Sequence, residues 1–465
     1  MTDTTLQPDP DDWAPSTHHD PHGPLDRERR LTRTELGFDP DALLIATGHQ
    51  AAIWHPGILA KDLAITELAS ALHDDGRNAH AVHFIADHDA NDGGLISYPT
   101  ADLQRRAWRM LPANADVSTC DLPPAKPSAP PRENLGLHSI DRGMQAIHAA
   151  VHGHHDAPNL AFQIGLAAAE LAHPFTGDVP RRSMSGLLET SIGAFLLDAM
   201  VSDPDACMEA HDRALESDRR FRARDLGRLP RPVARPLRRV DGDELPLWRR
   251  TDSGRRPVRR GERIDPDSCR PRALLATALA RLGGCDLFVH GTGGAIYDRA
   301  MEIWIRDWLG EAIAATLAPS TMATATLRLP LEPPDARDAI DQWTPEGLHR
   351  LRSDPDLARR GTPRRSMLLD AIDAAPRGTR ARREAYLALR AEVEKARRRG
   401  EVEILRYRDE LARKADDRRR IAVAQDRTWA FPFHPAESLD ALRVSMRSAF
   451  ADSGEPQTSP NTRGR

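Results

Sequence analysis

The sequence predicts an α/β protein with a Rossmann-like parallel-sheet core. Three short apolar runs, at residues 41–47, 80–86 and 285–290, are typical of buried strands. Between the first two runs, residues 58–72 carry leucines at helical spacing, so the order along the chain is strand, helix, strand. That order is the repeating unit of a parallel α/β sheet. With 465 residues, the chain has room for about three domains or lobes.

The middle of the chain has a different pattern from the two flanking α/β segments. Residues 121–134 are a proline-rich linker, and residues 136–225 show the apolar periodicity of helices. Residues 232–260 predict a β-hairpin that turns at residues 241–243. This stretch therefore predicts a helical/β-hairpin insertion lobe between two halves of the core.

After the third strand, residues 295–309 predict a helix and residues 322–329 another strand. Two apolar seams, at 386–396 and 404–415, predict a C-terminal antiparallel coiled-coil helical hairpin joined at Gly400. The predicted domains are an extended or partly disordered arm (1–40), the first half of the core (41–120), the insertion lobe (121–262), the second half of the core (263–375), the helical hairpin (376–428), and a C-terminal segment with a disordered tail (429–465).

Composition excludes several classes of protein. The 65 basic and 69 acidic residues give a net charge of -4, which argues against a dedicated nucleic-acid binder. There is no apolar run of about 18 residues, the length that a membrane helix needs, so no membrane partner is expected. The first forty residues lack the pattern of a secretory signal. The 4 cysteines form no C-x-x-C pair, which favours a reduced, cytoplasmic location.

Three polar or glycine-rich loops, at residues 48–57, 87–94 and 291–294, each directly follow a predicted strand. Ligands of open parallel sheets bind outside the carboxyl ends of the strands. If the three strands lie in one sheet, we expect the three loops to converge at one edge and form the candidate site.

The first loop is rich in groups that bind anions or move protons. Its candidate residues are Gly48, His49, Gln50, His55, Gly57 and Lys61. The amides that open the helix at Gly57 are suited to a phosphate or carboxylate, and Lys61 lies one turn further along. Only 4 residues of the chain are lysines, which draws attention to this one. We expect Lys61→Arg to impair function with little effect on stability. A capping loop with exposed histidines is the structural alternative.

The second loop carries Asp87, His88 and Asp89. These side chains are suited to acid/base chemistry or to orienting a substrate. They could instead help to bind a divalent metal. A polar turn, in which an aspartate caps the next segment, is the alternative without function.

The third loop, Gly-Thr-Gly-Gly, would let the backbone approach a ligand closely. Its candidate residues are Gly291, Gly293, Gly294 and Tyr297. A lone glycine loop is weak evidence, since it matches neither the dinucleotide-binding fingerprint nor a P-loop. The cofactor is therefore left open, with a nucleotide as one option and no metal predicted.

Several of these motifs resemble the bacillithiol biosynthesis cysteine-adding enzymes, the family of cysteine ligases. The resemblance rests on Thr47-Gly48-His49-Gln50, His55-Pro56-Gly57 with Lys61, Ala86-Asp87-His88-Asp89, Glu244-Leu245-Pro246-Leu247-Trp248, Gly293-Gly294-Ala295-Ile296-Tyr297, and the helical hairpin at 378–425. His49 stands where that family has glutamine, and Ala295 stands where it has glutamate. The resemblance implies a Rossmann-type core, a dimerising coiled-coil arm, and amide formation between cysteine and a glucosaminyl-malate acceptor.

The resulting hypothesis is a cytoplasmic carbon–nitrogen ligase whose partners are small molecules, namely cysteine or another amino acid and a carboxylate acceptor. The catalytic candidates are His49, His55, Lys61, Asp87, His88 and Asp89. A homodimer through the helical hairpin is also expected. Two alternatives are a metal-dependent hydrolase that uses the same histidines and aspartates, and a non-catalytic dimeric scaffold.

Overall fold

The computed structural model describes residues 3–13, 23–114, 116–131, 137–238, 242–252, 254–332, 344–346, 348–349, 363–399 and 401–451. The described residues fall into two compact units. The first unit is drawn from residues 1–101, 105–329 and 427–465, and the second from 102–104 and 330–426. The predicted disordered tail after Asp452 lies outside the described residues.

The first unit is built on a six-stranded, mostly parallel sheet, as the strand–helix–strand pattern predicted. Its strands are β1 (Asp3–Gln7), β2 (Leu43–His49), β3 (Ala79–Ile85), β6 (Arg181–Ser183), β10 (Leu287–His290) and β11 (Ser320–Thr326). The strand order is β1-β11-β10-β2-β3-β6, and β1 alone in this sheet pairs antiparallel. In the register, His49 lies opposite Ile85 and Thr47 opposite Val289, so β2, β3 and β10 end at the same edge.

Helices cover both faces of this sheet. The helices of the first unit up to residue 314 are, in chain order, α1 (Pro10–Trp13), α2 (Asp26–Glu35), α3 (Pro56–Asp74), α4 (His138–Gly153), α5 (Leu160–Thr176), α6 (Ser191–Ser202), α7 (Pro204–Leu226), α8 (Ala273–Leu279), α9 (Ala295–Leu309) and α10 (Glu311–Ala314). Strand β2 shows why both faces are buried: Leu44 and Ala46 pack in one apolar core with α6 to α9, whereas Ile45 packs in a second core with α3 and α5. Alternate residues of a strand point to opposite faces, so a strand buried on both sides is apolar throughout.

Two smaller antiparallel sheets lie in the same unit. One pairs β4 (Leu95–Pro99) with β5 (Arg105–Arg109), and the other has the order β8-β7-β9, formed by β8 (Gly254–Arg259), β7 (Glu244–Thr251) and β9 (Cys269–Pro271). The predicted hairpin therefore forms, but its turn was placed wrongly. Thr251 pairs with Gly254, so the chain reverses ten residues later than residues 241–243. The Asp-Gly-Asp sequence at 241–243 instead comes just before β7, because residues that favour turns also occur where the chain enters a strand.

The prediction of an extended or partly disordered arm over residues 1–40 was wrong for the described part of that segment. β1 pairs with β11, and α2 packs against the core. The reason is that α2 is held by buried charge: Arg29 NH2 and Arg33 NH2 lie 3.0 Å and 2.5 Å from Asp286 Oδ1. The prediction of disorder rested on low hydrophobicity alone. Local composition cannot indicate an ion pair whose partner lies far along the chain.

The second unit contains α11 (Pro363–Ala374), α12 (Arg380–Arg399) and α13 (Glu401–Gln425). Helix α12 packs against α11, and Gly378 between them has a φ of 84°, a conformation that glycine allows at no steric cost. The predicted pairing partner of α12 was α13, and the structure does not confirm that pairing; Gly400, the predicted hairpin turn, lies outside the described residues. After α13 the chain returns to the first unit and ends its described part in α14 (Ala436–Ala451).

Candidate functional site

A cavity of about 730 Å³ opens at the carboxyl ends of β2, β3 and β10. Its lining contains residues from all three loops that follow the predicted strands. The lining residues are Gly48, His49, Gln50, His55, Ile58, Lys61, Ala86, His88, Asp89, Met184, Ala273, Ala276, Thr277, Phe288, His290, Gly291, Thr292, Gly293, Gly294, Tyr297, Thr324, Arg427 and Thr428. Every predicted site residue except Asp87 and Gly57 is among them.

Lys61 reaches the cavity from the second turn of α3. Its side chain is 3% exposed, and Nζ donates a 2.6 Å hydrogen bond to the Gly48 carbonyl at the end of β2. Burial lowers the pKa of Lys61 to about 8, although the neighbouring carboxylate of Asp62 raises it. The expected small effect of Lys61→Arg on stability assumed an exposed side chain, whereas Lys61 is buried. Helix α3 packs between the sheet and other helices, so a position one turn into it is buried.

His55 caps the amino terminus of α3 with its own ring. Gly57 N–H donates a 3.1 Å hydrogen bond to His55 Nδ1, and the amides of Ile58 and Leu59 donate to the His55 carbonyl. Since Nδ1 accepts, the proton of the neutral ring sits on Nε2. These contacts correct the prediction of an open anion site at Gly57, because the amides that would hold the anion are already bonded within the loop.

The two histidines of the first loop are neutral at physiological pH. Burial lowers the pKa of His55 to about 4, and the positive charges of Arg427 and Lys61 lower it further. Burial also lowers the pKa of His49 to about 3, again with a contribution from Lys61. His49 Nδ1 lies 3.2 Å from the Gln50 carbonyl, which places the ring proton on Nδ1. Since Nδ1 of each ring is bonded within the loop, only Nε2 is left for a ligand, and it accepts in His49 and donates in His55.

Asp87 was predicted to be catalytic, but its contacts in the structure give it a role in holding two segments of the fold together. It is 1% exposed, and its carboxylate accepts hydrogen bonds from Ser183 Oγ at 2.5 Å, Ser185 N at 2.8 Å and Ser185 Oγ at 2.9 Å. These bonds join the end of β3 to the turn that follows β6. Asp87 was predicted to take part in acid/base chemistry or to orient a substrate, but its oxygens are bonded to Ser183 and Ser185.

Asp89 and His88 face the cavity together with Gln50. Gln50 Nε2 donates a 2.7 Å hydrogen bond to Asp89 Oδ2, and His88 Nε2 lies 3.6 Å from Asp89 Oδ1. The Asp89 side chain is 37% exposed, so part of its carboxylate group remains accessible from the cavity. His88 Nδ1 is buried and makes no hydrogen bond with a described residue. The adjacent carboxylate and imidazole thus fit the predicted role of orienting a substrate.

The glycine loop contributes backbone on the opposite side. Gly291 lies beside the Lys61 stem, since a Cβ at Gly291 would be 3.7 Å from Lys61 Cδ. A Cβ at Gly294 would be 2.3 Å from His290 Nδ1, so glycine is required there by the imidazole. Tyr297, in the first turn of α9, completes this wall of the cavity.

Two ionisable residues of the cavity, His290 and Arg427, were not predicted from the sequence. His290 is the last residue of β10, and its position before the glycine loop could have pointed to it. Arg427 follows the second unit along the chain, and no local pattern predicted that it would return to this cavity. Arg427 NH1 donates a 2.9 Å hydrogen bond to Thr326 Oγ1, which fixes the guanidinium near the end of β11.

A buried charge network lies behind Lys61. Asp62 Oδ1 is 2.7 Å from His83 Nδ1, and Asp62 Oδ2 accepts a 2.8 Å hydrogen bond from Arg181 NH2. The His83 ring stacks on Trp54 at a centroid distance of 4.8 Å. Burial raises the pKa of Asp62, but His83 and Arg181 outweigh it and hold that pKa well below its usual range. The ionised Asp62 in turn supports the charge of Lys61.

The lining combines two cationic side chains, Lys61 and Arg427, with the neutral rings of His49 and His55. Asp89 is the single carboxylate among its described residues. This arrangement favours an anionic ligand.

Among the described residues, no group of three or more His, Cys, Asp or Glu side chains could hold a metal ion. No described helix is long and apolar enough to cross a membrane. No protein-family model matches the chain, and a comparison with curated proteins found no match.

Proposed function

We propose that the protein is a cytoplasmic carbon–nitrogen ligase that binds an anionic substrate in the strand-end cavity. The observation that carries the proposal is the Lys61 ammonium, buried at the base of the cavity and hydrogen-bonded to the Gly48 carbonyl. A buried ammonium is costly unless a partner anion compensates it. The ionised Asp62 compensates the ammonium in part, and a substrate carboxylate beside Lys61 and Arg427 would complete that compensation.

The substrate class follows from the motifs of the three loops, which resemble those of cysteine-adding enzymes. In this proposal the acceptor carries carboxylates and an amine, as glucosaminyl-malate does, and cysteine or another amino acid supplies the carbonyl. Lys61 and Arg427 bind the carboxylates, since both cations line the cavity. Asp89 receives the amine, and the neutral His55 ring donates a hydrogen bond from Nε2 to the developing charge at the carbonyl oxygen. His49 Nε2, which carries no proton, accepts a hydrogen bond from the substrate.

Product formation tests the proposal directly. The full-length protein is incubated with cysteine and glucosaminyl-malate, with and without magnesium ATP, and the products are analysed by mass spectrometry. We expect an amide whose mass is the sum of the two substrates less one water. The ATP arm decides whether a nucleotide activates the carboxylate. Absence of the amide in both arms, with the protein folded, would refute the proposed reaction.

A matched pair of lysine variants serves as the control. Lys61→Met removes the ammonium at the cavity, and Lys126→Met makes the same change in the linker after β5, outside the cavity lining. We expect amide formation to be lost in the first variant and retained in the second. Equal loss in both variants would mean that the assay reports protein quality and not the site.

We also propose a homodimer formed through α12 and α13. This proposal is supported by large apolar side chains that are exposed on these two helices: Tyr386, Leu387, Val402 and Leu405 are 53%, 53%, 75% and 42% exposed. Burial of such side chains stabilises association by roughly 25 cal/mol per Å². Light scattering of the full chain should give twice the monomer mass, and deletion of residues 380–425 should give a folded monomer. A full chain of monomer mass would contradict the proposal.

A further inference from the structure

His290 lies at the end of β10 and lines the cavity. Its ring is held between two neighbours: Nε2 lies 2.9 Å from Asp298 Oδ2, and the Phe288 ring packs at a centroid distance of 4.6 Å. The ring is 9% exposed, so it is fixed by packing and is not a mobile surface histidine. The glycine at 294 lets the loop pass beside Nδ1, where any larger residue would clash.

Asp298 is itself fixed by buried charge. Arg281 NH1 lies 3.4 Å from Asp298 Oδ2, while the same guanidinium donates to the Ala318 carbonyl and to Glu302 Oε1, each at 2.7 Å. Burial raises the pKa of Asp298, but its contact with His290 and the charge of Arg281 outweigh burial and lower it. The carboxylate is therefore ionised and can only accept. Nε2 faces this carboxylate at 2.9 Å without hydrogen-bond geometry, and it carries the ring proton because a lone pair so close to an ionised oxygen would be repelled.

These contacts leave Nδ1 as the nitrogen with the lone pair. Nδ1 adjoins the glycine loop of the cavity wall and makes no hydrogen bond with any residue in the described part of the chain. An imidazole whose far nitrogen lies against a buried, ionised carboxylate has a preferred tautomer, with the proton on the nitrogen that faces the carboxylate. The sequence places both groups within nine residues, on the end of a strand and the first turn of the next helix.

We propose that His290 is the catalytic proton acceptor of this cavity and that Asp298 is its positioning residue. The identity of the proton donor, the ammonium of the acceptor substrate, rests on the proposed function. The ammonium gives one proton to His290 Nδ1, and the electron pair of the broken N–H bond stays on the substrate nitrogen, which becomes the nucleophile. The proton on Nδ1 passes to water after the product leaves. No oxidant or reductant takes part.

Two measurements test this assignment without any substrate. In ¹⁵N-histidine-labelled protein, with the signal assigned by His290→Gln, long-range ¹H–¹⁵N spectra should show His290 as the Nε2–H tautomer, and Asp298→Asn should abolish that preference. Diethyl pyrocarbonate, which acylates an accessible unprotonated nitrogen, should modify His290 as mapped by mass spectrometry, with exposed His80 as the internal reference. An Nδ1–H tautomer, or a His290 left unmodified while His80 reacts, would overturn the proposal.

The kinetics of amide formation test whether His290 acts in catalysis and whether Asp298 positions it. His290→Gln should lower kcat by about 100-fold or more with little change in KM, the usual loss for a general base. Asp298→Asn should lower kcat and change its pH profile, and Asp298→Glu should recover part of it. His80→Gln and Asp307→Asn, exposed positions on β3 and α9, should match the parent. Wild-type kcat in His290→Gln would overturn the proposal. A parent enzyme that forms no amide would refute the proposed function alone, and the two substrate-free measurements would still decide this inference.

Discussion

Replacing Lys61 by methionine removes a buried ammonium and keeps the stem of the side chain. Two effects on stability oppose each other. The pKa of Lys61 is lowered by burial from 10.5 to about 8, which corresponds to ~3 kcal/mol of unfavourable burial at about 1.36 kcal/mol per unit. Against this relief, the Gly48 carbonyl loses its 2.6 Å donor, at a cost of about 1–3 kcal/mol. We therefore expect the free energy of unfolding to change by no more than about 2 kcal/mol.

The effect on anion binding has no such compensation. A hydrogen bond to a charged group contributes about 1.5–3 kcal/mol, and each 1.4 kcal/mol is about tenfold in affinity. Lys61→Met should thus weaken the binding of malate, a dicarboxylate probe, by roughly 10–100-fold in isothermal titration calorimetry. Lys126→Met should bind malate like the parent. If Lys61→Met also binds malate like the parent, the interpretation of Lys61 as the anion-binding group is refuted.

The pH dependence gives an independent check on the same residue. Below pH 8 the Lys61 side chain is charged, so malate affinity should fall as the pH rises through about 8, the lowered pKa of Lys61. The unfolded chain keeps this proton up to the ordinary lysine pKa of 10.5, so the unfolded state binds more protons between pH 8 and 10.5. The contribution of Lys61 to stability should therefore rise with pH across that window. Both dependences should be absent in Lys61→Met.

Two further pairs of variants separate catalytic geometry from structure. Gly294→Ala would place a Cβ 2.3 Å from His290 Nδ1, whereas a Cβ at Gly293 meets no atom within 4 Å. Gly294→Ala should therefore shift the His290 ¹⁵N signals and lower kcat. Equal spectra for the two variants would contradict the close packing of Gly294 against His290. Asp87→Asn should lower the free energy of unfolding by about 1–3 kcal/mol, measured in urea, because the carboxylate holds three hydrogen bonds. Asp89→Asn should change stability by less than about 0.5 kcal/mol, as exposed substitutions do.

The sequence was sufficient to predict the parallel core and the convergence of three loops on one cavity. Apolar runs identified β2, β3 and β10, and the rule that ligands bind at carboxyl ends brought three separate loops to one edge. The sequence did not indicate which residue each polar side chain would bond to in the folded protein. Asp87 has the composition of a catalytic carboxylate, but Ser183 and Ser185, which engage it, come almost a hundred residues later. A local pattern contains no information about such pairings.

The N-terminal segment and Arg427 were missed for related reasons. Helix α2 is joined to the core by Arg29 and Arg33 on Asp286, an ion pair that spans more than 250 residues of sequence. Arg427 reaches the cavity only because the chain returns to the first unit after α13. His290, by contrast, was within reach of sequence reasoning. A histidine that ends a buried strand before a glycine loop satisfies the same strand-end rule as His49.

The most direct test of the account is a crystal structure of the full-length protein with malate. We predict that a malate carboxylate lies within hydrogen-bond distance of Lys61 Nζ, with Arg427 as its second partner, inside the cavity where β2, β3 and β10 end. Soaks of Lys61→Met crystals should leave that position without malate. Malate bound only elsewhere on the parent protein, or bound in the cavity equally well in Lys61→Met, would contradict the claim that the strand-end cavity is an anion site built on Lys61.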